Sequence, residues 1–288
     1  MVRDAEGDMA MSSVKITGAT RLYPIIGDPI EQVRSPETIT NGFATKRINA
    51  VCIPAHVPVD RFDVIVPALL ALANVDGMLV TVPFKARMAA FADRLGATAR
   101  TIGAVNALRR EADGSWTGDM FDGVGFVRGA ERKGERIRGR RVALFGAGGA
   151  GSAIACALAE AGVQSIDVID TEAHKAKALV DKLKLSFPGC AFTVADGMRD
   201  GIDMVVNASP LGMRADDGLP AEIGPLDPGT LVGDVVITPT PTPLIRHATR
   251  CGCHWVDGRD MHGGQVDALV AFFAPTWPTE TRERLGSI

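Results

Sequence analysis

The chemistry of this chain is most legible at residues 142–151, where an apolar run enters a glycine-rich turn. Gly146, Gly148 and Gly151 spell G-x-G-x-x-G, with Ala147, Gly149 and Ala150 between and beside them. The pattern has meaning only between a strand and a helix. That context is present: an apolar strand before, an apolar-rich helical segment at 152–161 after, and a second strand at 165–169. Gly146 allows the tight turn, Gly148 lets backbone N–H groups approach a pyrophosphate, and Gly151 permits close helix-to-strand packing, with the helix N-terminus facing the anion. The stretch predicts a bound dinucleotide. A plain strand-to-helix turn, or a different adenosine cofactor, is the competing reading. Asp170 ends the second strand about twenty residues on, where a carboxylate accepts hydrogen bonds from ribose hydroxyls and repels a 2′-phosphate. NAD is therefore the expected cofactor. Thr171 and Glu172 supply no guanidinium clamp, while His174, Lys175 and Lys177 keep NADP open as the alternative.

A second pair of residues suggests a reaction. Lys85 follows an apolar strand and Pro83, and Asp122 precedes Gly123 just ahead of the nucleotide-binding segment, so both can face a cleft between domains. A lysine and an aspartate within hydrogen-bond reach make a proton-transfer pair for carbinol oxidation, in which a hydroxyl proton leaves as hydride departs to the cofactor. A solvated loop lysine and a turn-forming aspartate are the ordinary alternatives. Asn207 and Ser209 lie just past an apolar strand at 203–206, at the carboxyl end of the sheet, where they and Met213 can line the adenosine and nicotinamide groove; capping and turn chemistry is their ordinary use.

The elements needed to position these residues follow from the apolar patterning. Strands are expected at 21–27, 50–54, 77–82, 103–110 and 115–119, the last two around the turn at Asp113 and Gly114, with helices at 36–47, 60–73 and 86–95. The charged stretch 128–141 reads as the approach to the second domain. There, strands at 142–145, 165–169, 191–194, 203–206, 231–235 and 253–256 alternate with helices and predict a doubly wound parallel sheet. A helix at 261–273 is expected to pack back onto the first domain, and the proline-rich run 239–243 reads as a rigid loop at the carboxyl end of a strand. The expected organisation is a tail at 1–13, an α/β substrate-binding domain at 14–127 plus 258–288, and a Rossmann domain at 128–257.

Composition narrows the partners. The 288 residues are 46% apolar and 23% charged, with a net charge of −3, which is the balance of a soluble globular protein and offers no basic field for nucleic acid. No apolar run approaches the roughly 18 residues of a membrane span, and residues 1–13 lack the apolar core of a signal peptide. The expected partner is a small molecule, and the expected assembly is a monomer or homodimer. Five scattered cysteines suit reduced thiols and a cytoplasmic location. His247, Cys251, Cys253 and His254 lack the spacing of a metal site, so no metal is expected.

Several separated motifs, taken together, resemble those of the shikimate and quinate dehydrogenases over nearly the whole chain. Gly27, Asp28, Pro29 and Ile30 followed by Ser35 and Pro36 are similar to the substrate-carboxylate loop, and residues 77–85 resemble Gly-x-Asn-Val-Thr-x-Pro-x-Lys. Gly103 to Asn106, residues 118–126 around Asp122, Asn207 to Met213, residues 234–244 ending in Thr242, Pro243 and Leu244, and residues 258–265 follow in register. The resemblance implies that Lys85 is the principal acid/base, oriented by Asp122. It implies substrate contacts from Ser35, Thr81, Asn106 and Gln265, and places Gly258 and Met261 beside the cofactor with Asn207, Ser209 and Met213. Met261 and Gln265, four apart, share a helix face. The implied activity is reversible hydride transfer between a nicotinamide cofactor and the hydroxyl of shikimate, quinate or a related cyclic hydroxy acid.

Four positions depart from that pattern. Val33 stands for the first serine of the carboxylate loop, Leu79 for an asparagine, Phe121 for the threonine before Asp122, and Ile237 for a tyrosine. Each change removes hydrogen-bonding capacity, and each lost partner for a buried polar group costs on the order of 1–3 kcal/mol. Two alternatives follow: a paralogue acting on a less polar alcohol, or an NAD-binding sensor that does not turn over.

Overall fold

The computed structural model describes residues 15–214 and 216–277; the tail expected at 1–13 lies outside them. Within that span the chain forms two α/β domains, each built on a six-stranded sheet. The first comprises β1 (Arg21–Gly27), β2 (Ala50–His56), β3 (Gly77–Val80), β4 (Arg94–Leu95), β5 (Ala107–Arg110) and β6 (Trp116–Asp119), in the order β2-β1-β3-β5-β6-β4. β1 pairs in parallel with β2 and β3, whereas β5 runs antiparallel to β3 and β6. The strand β1 is apolar on both faces because both are covered. Tyr23 and Ile25 join Phe43 of helix α1 (Ser35–Thr45), while Ile26 joins Phe62 and Val66 of helix α2 (Phe62–Leu70) on the other side.

Two further helices of this half are α3 (Lys85–Met88) and α4 (Ala97–Ile102). The single helix expected at 86–95 is not formed. α3 gives way to a 3₁₀ turn at Ala89–Phe91 and Ala92 is extended, after which β4 pairs with β6. Pairing at the sheet edge, reinforced by Asp93 Oδ2 accepting from the Trp116 N–H at 2.7 Å, overrides the helical preference of the alanines. The strand expected from 103 begins only at Ala107, since Gly103 ends α4 with φ +76°.

The first part of the charged stretch 128–141, read as the approach to the second domain, belongs to helix α5 (Asp122–Arg132), which runs across the expected domain boundary at 127/128. Gly123, Gly125 and Gly129 weaken its intrinsic helicity by about 1 kcal/mol each, but they allow it to pack closely. The last long helix, α9 (Gly258–Phe273), crosses it. A Cβ on Gly125 would lie 2.6 Å from the Met261 carbonyl oxygen, and one on Gly264 would lie 2.3 Å from that of Gly125, so the two backbones touch only because both positions are glycine. As expected, α9 returns to the first sheet: Leu269, Val270 and Phe273 share a core with Tyr23 and Phe43, and the Phe273 ring meets Tyr23 edge-on at 4.8 Å.

The second sheet comprises β7 (Arg141–Phe145), β8 (Ser165–Ile169), β9 (Ala191–Val194), β10 (Met204–Asn207), β11 (Leu231–Asp234) and β12 (His254–Val256). All its pairings are parallel, in the order β12-β11-β10-β7-β8-β9. This is the doubly wound arrangement whose strand order reverses beside β7, where ligands bind in such sheets. Helices α6 (Gly149–Glu160), α7 (Ala173–Ser186) and α8 (Pro243–Arg250) complete it. All five thiols are free, and burial pushes those of Cys52 and Cys156 up to about 12.

Candidate active site

The centre of the site is the carboxylate of Asp122, in the first turn of α5, where a helix N-terminus favours negative charge. It is 4% exposed and receives three donors. Lys85 Nζ donates to Oδ2 at 2.5 Å, while Asn106 Nδ2 and Gln265 Nε2 donate to Oδ1 at 2.7 and 2.8 Å. The orientation of Asn106 is set from its other end, because its Oδ1 accepts from the Phe121 N–H at 2.9 Å. Four residues singled out in the sequence therefore meet in one network drawn from α3, the loop before β5, α5 and α9. Lys85 keeps 15% of its side-chain surface open, enough for its ammonium group to meet a ligand.

The glycine-rich turn borders this network. Gly146 has φ +101°, and a Cβ on Gly151 would lie 1.9 Å from the Gly146 carbonyl oxygen, so neither position accepts a side chain. A Cβ on Gly148, by contrast, would meet nothing within 4 Å, which leaves an open approach to the backbone at the start of α6. One on Gly149 would lie 3.4 Å from Lys85 Cδ, so the nucleotide turn and the lysine are neighbours across the domain junction. Asp170 braces the turn: Oδ2 accepts from the Ala147 N–H at 2.7 Å and Oδ1 from the Glu172 N–H at 2.8 Å. A carboxylate oxygen has capacity for a second donor, so this bracing is compatible with a ribose contact.

The remaining expected residues divide. Neither the Ser35 nor the Thr81 hydroxyl has a partner among the described residues, and neither is sealed from solvent, as a ligand contact requires. Asn207, by contrast, is fully engaged within the protein. Its Nδ2 donates to the Leu211 carbonyl and to Asp234 Oδ1, and its Oδ1 accepts from the N–H and the hydroxyl of Ser209. Asn207 and Ser209 shape the loop after β10. Met213 is 52% exposed at its rim, Met261 is buried under α5, and Gly258 opens α9 where a Cβ would press on the Val235 carbonyl.

The four apolar departures are packed as hydrophobic residues. Leu79 is in the core, Val33 and Phe121 lean on the same cluster, and the Phe121 ring lies 5.0 Å from Phe272. Ile237 lies against Gly258. Two polar groups escaped the sequence reading: Thr38 Oγ1 and His262 Nε2, 2.8 Å apart. Their signal was spacing, since Thr38 is one helical turn from Ser35 and His262 one turn from Gln265. Burial and Arg34 hold the His262 imidazole below its ordinary pKa, against the opposing pull of Asp122. Asp234, between Asn207 and Thr242, is raised to about 6 by burial. Among the described residues no group of three His, Cys, Asp or Glu side chains is placed to hold a metal ion, and no helix is long and apolar enough to cross a membrane.

Comparison with known proteins places this geometry. Residues 25–108 match the shikimate dehydrogenase substrate binding domain, and residues 125–177, which carry the glycine-rich turn, match the ThiF family. The shikimate dehydrogenase (NADP(+)) of Rubrobacter xylanophilus is 38% identical over 258 residues, covering 87% of this chain and 89% of that protein. Among solved structures, shikimate 5-dehydrogenase from Listeria monocytogenes, in complex with shikimate and NAD, superposes with a TM-score of 0.81 at 27% identity, covering 94% of this chain and 98% of that one. The ligand-free 5-ketofructose reductase of Gluconobacter sp. strain CHM43 superposes with a TM-score of 0.77 at 26% identity, covering 93% and 99%. With this identity over nearly its full length, and the lysine, aspartate, asparagine and glutamine gathered at one point, the chain belongs to the shikimate dehydrogenase family.

Proposed function

We propose that this protein is an NAD(P)-dependent dehydrogenase that interconverts the hydroxyl of shikimate, quinate or a related cyclic hydroxy acid with the ketone. The observation that carries the reading is the Asp122 carboxylate receiving Lys85, Asn106 and Gln265 beside the glycine-rich turn. In oxidation Lys85 Nζ, as the neutral amine, takes the proton of the reacting hydroxyl and becomes the ammonium; in reduction the ammonium gives that proton back. Asp122 holds the ammonium in place and balances its charge, so that the proton moves between fixed positions. Asn106 and Gln265 hold Asp122 and, with Ser35 and Thr81, orient the hydroxyls of the substrate.

The open approach to the backbone at Gly148, and the glycines that a Cβ would close, fit a dinucleotide. The turn from Gly146 to Gly151 would hold its pyrophosphate, Asp170 a ribose, and the surface around Met213, Gly258 and Met261 the remainder. When bound, the nicotinamide supplies the hydride acceptor or donor. Asp170 supports a preference for NAD, because its carboxylate stands where a 2′-phosphate would bring more negative charge. Residues 14–127 with 258–288 serve as the substrate domain and 128–257 as the nucleotide domain, with α5 shared between them. A cytoplasmic monomer or homodimer is the setting that fits.

The test is the initial rate of NADH and NADPH appearance with shikimate and with quinate, for the parent and for Lys85→Met. Turnover by the parent and its loss in Lys85→Met, with cofactor affinity intact, supports the reading. No turnover with either acid while the cofactor binds contradicts it. A second reading, a ligand without a carboxylate, is favoured by Val33 and Ile237, apolar residues at two positions where the family resemblance implies groups that hold the substrate carboxylate.

A further inference from the structure

We infer that His262 is a specificity-determining residue whose Nδ1 accepts a hydrogen bond from a substrate hydroxyl remote from the reacting carbon. The inference rests on the dehydrogenase reading for the location of the substrate. His262 and Gln265 lie one turn apart on α9, as Ser35 and Thr38 do on α1, so both pairs present neighbouring side chains. The two helices are held together below them, where a Cβ on Gly42 would lie 2.9 Å from a methyl of Val270. The contact between Thr38 and His262 therefore joins the two elements that carry Ser35 and Gln265.

The hydrogen bonds around Thr38 point to which ring nitrogen is free. The Thr38 hydroxyl has one proton, and it donates it to the Arg34 carbonyl at 3.2 Å. With that proton so placed, the 2.8 Å contact with Nε2 is made by the imidazole as donor, and we assign the ring proton to Nε2, which leaves Nδ1 as an acceptor. Nδ1 has no partner among the described residues, yet it is not a sealed, unpartnered atom, so it keeps some accessible surface. Two charged groups face the ring: Arg34, from the loop before α1, opposes protonation, and Asp122, from α5, favours it. Burial is the largest influence and acts with Arg34 to hold the imidazole below its ordinary pKa, which favours the neutral ring that the acceptor needs.

The chemical consequence is a change of sign in recognition. Val33 and Ile237 have removed donors suited to a carboxylate, and His262 supplies an acceptor, which welcomes a hydroxyl and rejects a carboxylate. The matching ligand is a polyhydroxylated ring or chain with a hydroxyl at the α1–α9 edge of the site.

The test uses the full chain, with shikimate and its uncharged methyl ester as probes. Nitrogen NMR of the imidazoles distinguishes the tautomers among five histidines, with His262→Gln giving the assignment. The neutral ring should carry its proton on Nε2, and saturating ester should shift the Nδ1 resonance in the direction of hydrogen-bond acceptance. By calorimetry, His262→Leu should weaken both probes about tenfold, as expected for loss of one hydrogen bond. NAD affinity should not change, His262→Gln should recover most of the loss through its amide oxygen, and Thr38→Val should give a smaller loss. A proton on Nδ1, an effect below twofold in His262→Leu, a penalty confined to the acid, or no binding of either probe by the parent overturns the inference. Failure of the dehydrogenase reading is separate: it shows as binding without NADH or NADPH production.

Discussion

Asp122→Asn is the perturbation that most directly tests the proposed centre. The side chain keeps its size and loses one charge, but the three donors around it cannot be rearranged to suit an amide. If the new carbonyl oxygen stays where Oδ1 now accepts from Asn106 and Gln265, the new NH₂ points at the Lys85 ammonium. If the amide flips, the NH₂ faces two amide donors. Either way one donor meets another in a site only 4% exposed, and a largely buried ammonium loses its counter-charge. Removing one partner of a buried pair costs about 3–5 kcal/mol. If that cost falls on the reacting geometry, kcat/KM drops by roughly 10²–10⁴-fold, the range for loss of a positioned acid–base pair. Gln265→Leu removes a single hydrogen bond to the carboxylate, worth about 1.5–3 kcal/mol, and should lose roughly 10–100-fold. The double variant should fall well short of the product of the two losses, because both act through Asp122. The assay is steady-state oxidation of the best hydroxy-acid substrate with NAD, alongside NAD affinity and melting temperature to separate chemistry from folding. If Asp122→Asn keeps activity within fivefold of the parent, the carboxylate is not the organising centre and the mechanism proposed for Lys85 is refuted.

Three other measurements probe the frame around that centre. Asp170→Ser should narrow an NAD preference over NADP of about tenfold or more to within about threefold, since a like-charge contact near the surface is worth at least 1.4 kcal/mol; equal affinities in the parent would refute the assignment. Gly123→Ala would place a Cβ 2.1 Å from the Ala153 carbonyl oxygen, forcing α5 away from α6. Such overpacking costs about 1–3 kcal/mol, so the melting temperature should fall by several degrees and activity should drop with it; an unchanged melting curve would show that the helices are not in firm contact. Burial raises the Asp234 carboxyl from 3.8 to about 6, so the folded state holds its proton more tightly than the unfolded chain. Its contribution to stability is full below 3.8 and is lost as pH rises to about 6. Across that window the parent should lose up to roughly 3 kcal/mol relative to Asp234→Asn in denaturant titrations, and parallel curves would contradict the burial argument.

What the sequence determined by itself is the set of features encoded by neighbours in the chain. The strand, glycine turn and helix around Gly146 to Gly151 are a local steric pattern, and the doubly wound sheet follows from apolar runs separated by helical ones. The residue types of Lys85, Asp122, Asn106 and Gln265 were legible as well, because their chemistry and motif context are local. Their meeting was decided by the tertiary structure. Gln265 reaches Asp122 across 143 positions of chain, and Thr38 reaches His262 across 224. The first of those contacts depends on α5, a helix hidden in the sequence because three glycines lower its propensity while making its packing against α6 and α9 sterically feasible. The same competition ended the alanine-rich helix expected at 86–95, where pairing with β6 outweighed local preference. Propensity sums a few tenths of a kcal/mol to about 1 kcal/mol per residue over near neighbours, whereas burial and pairing draw on partners anywhere in the chain. The reacting groups could therefore be named from the sequence, but their mutual geometry, and the contact between Thr38 and His262, came only from the packed helices.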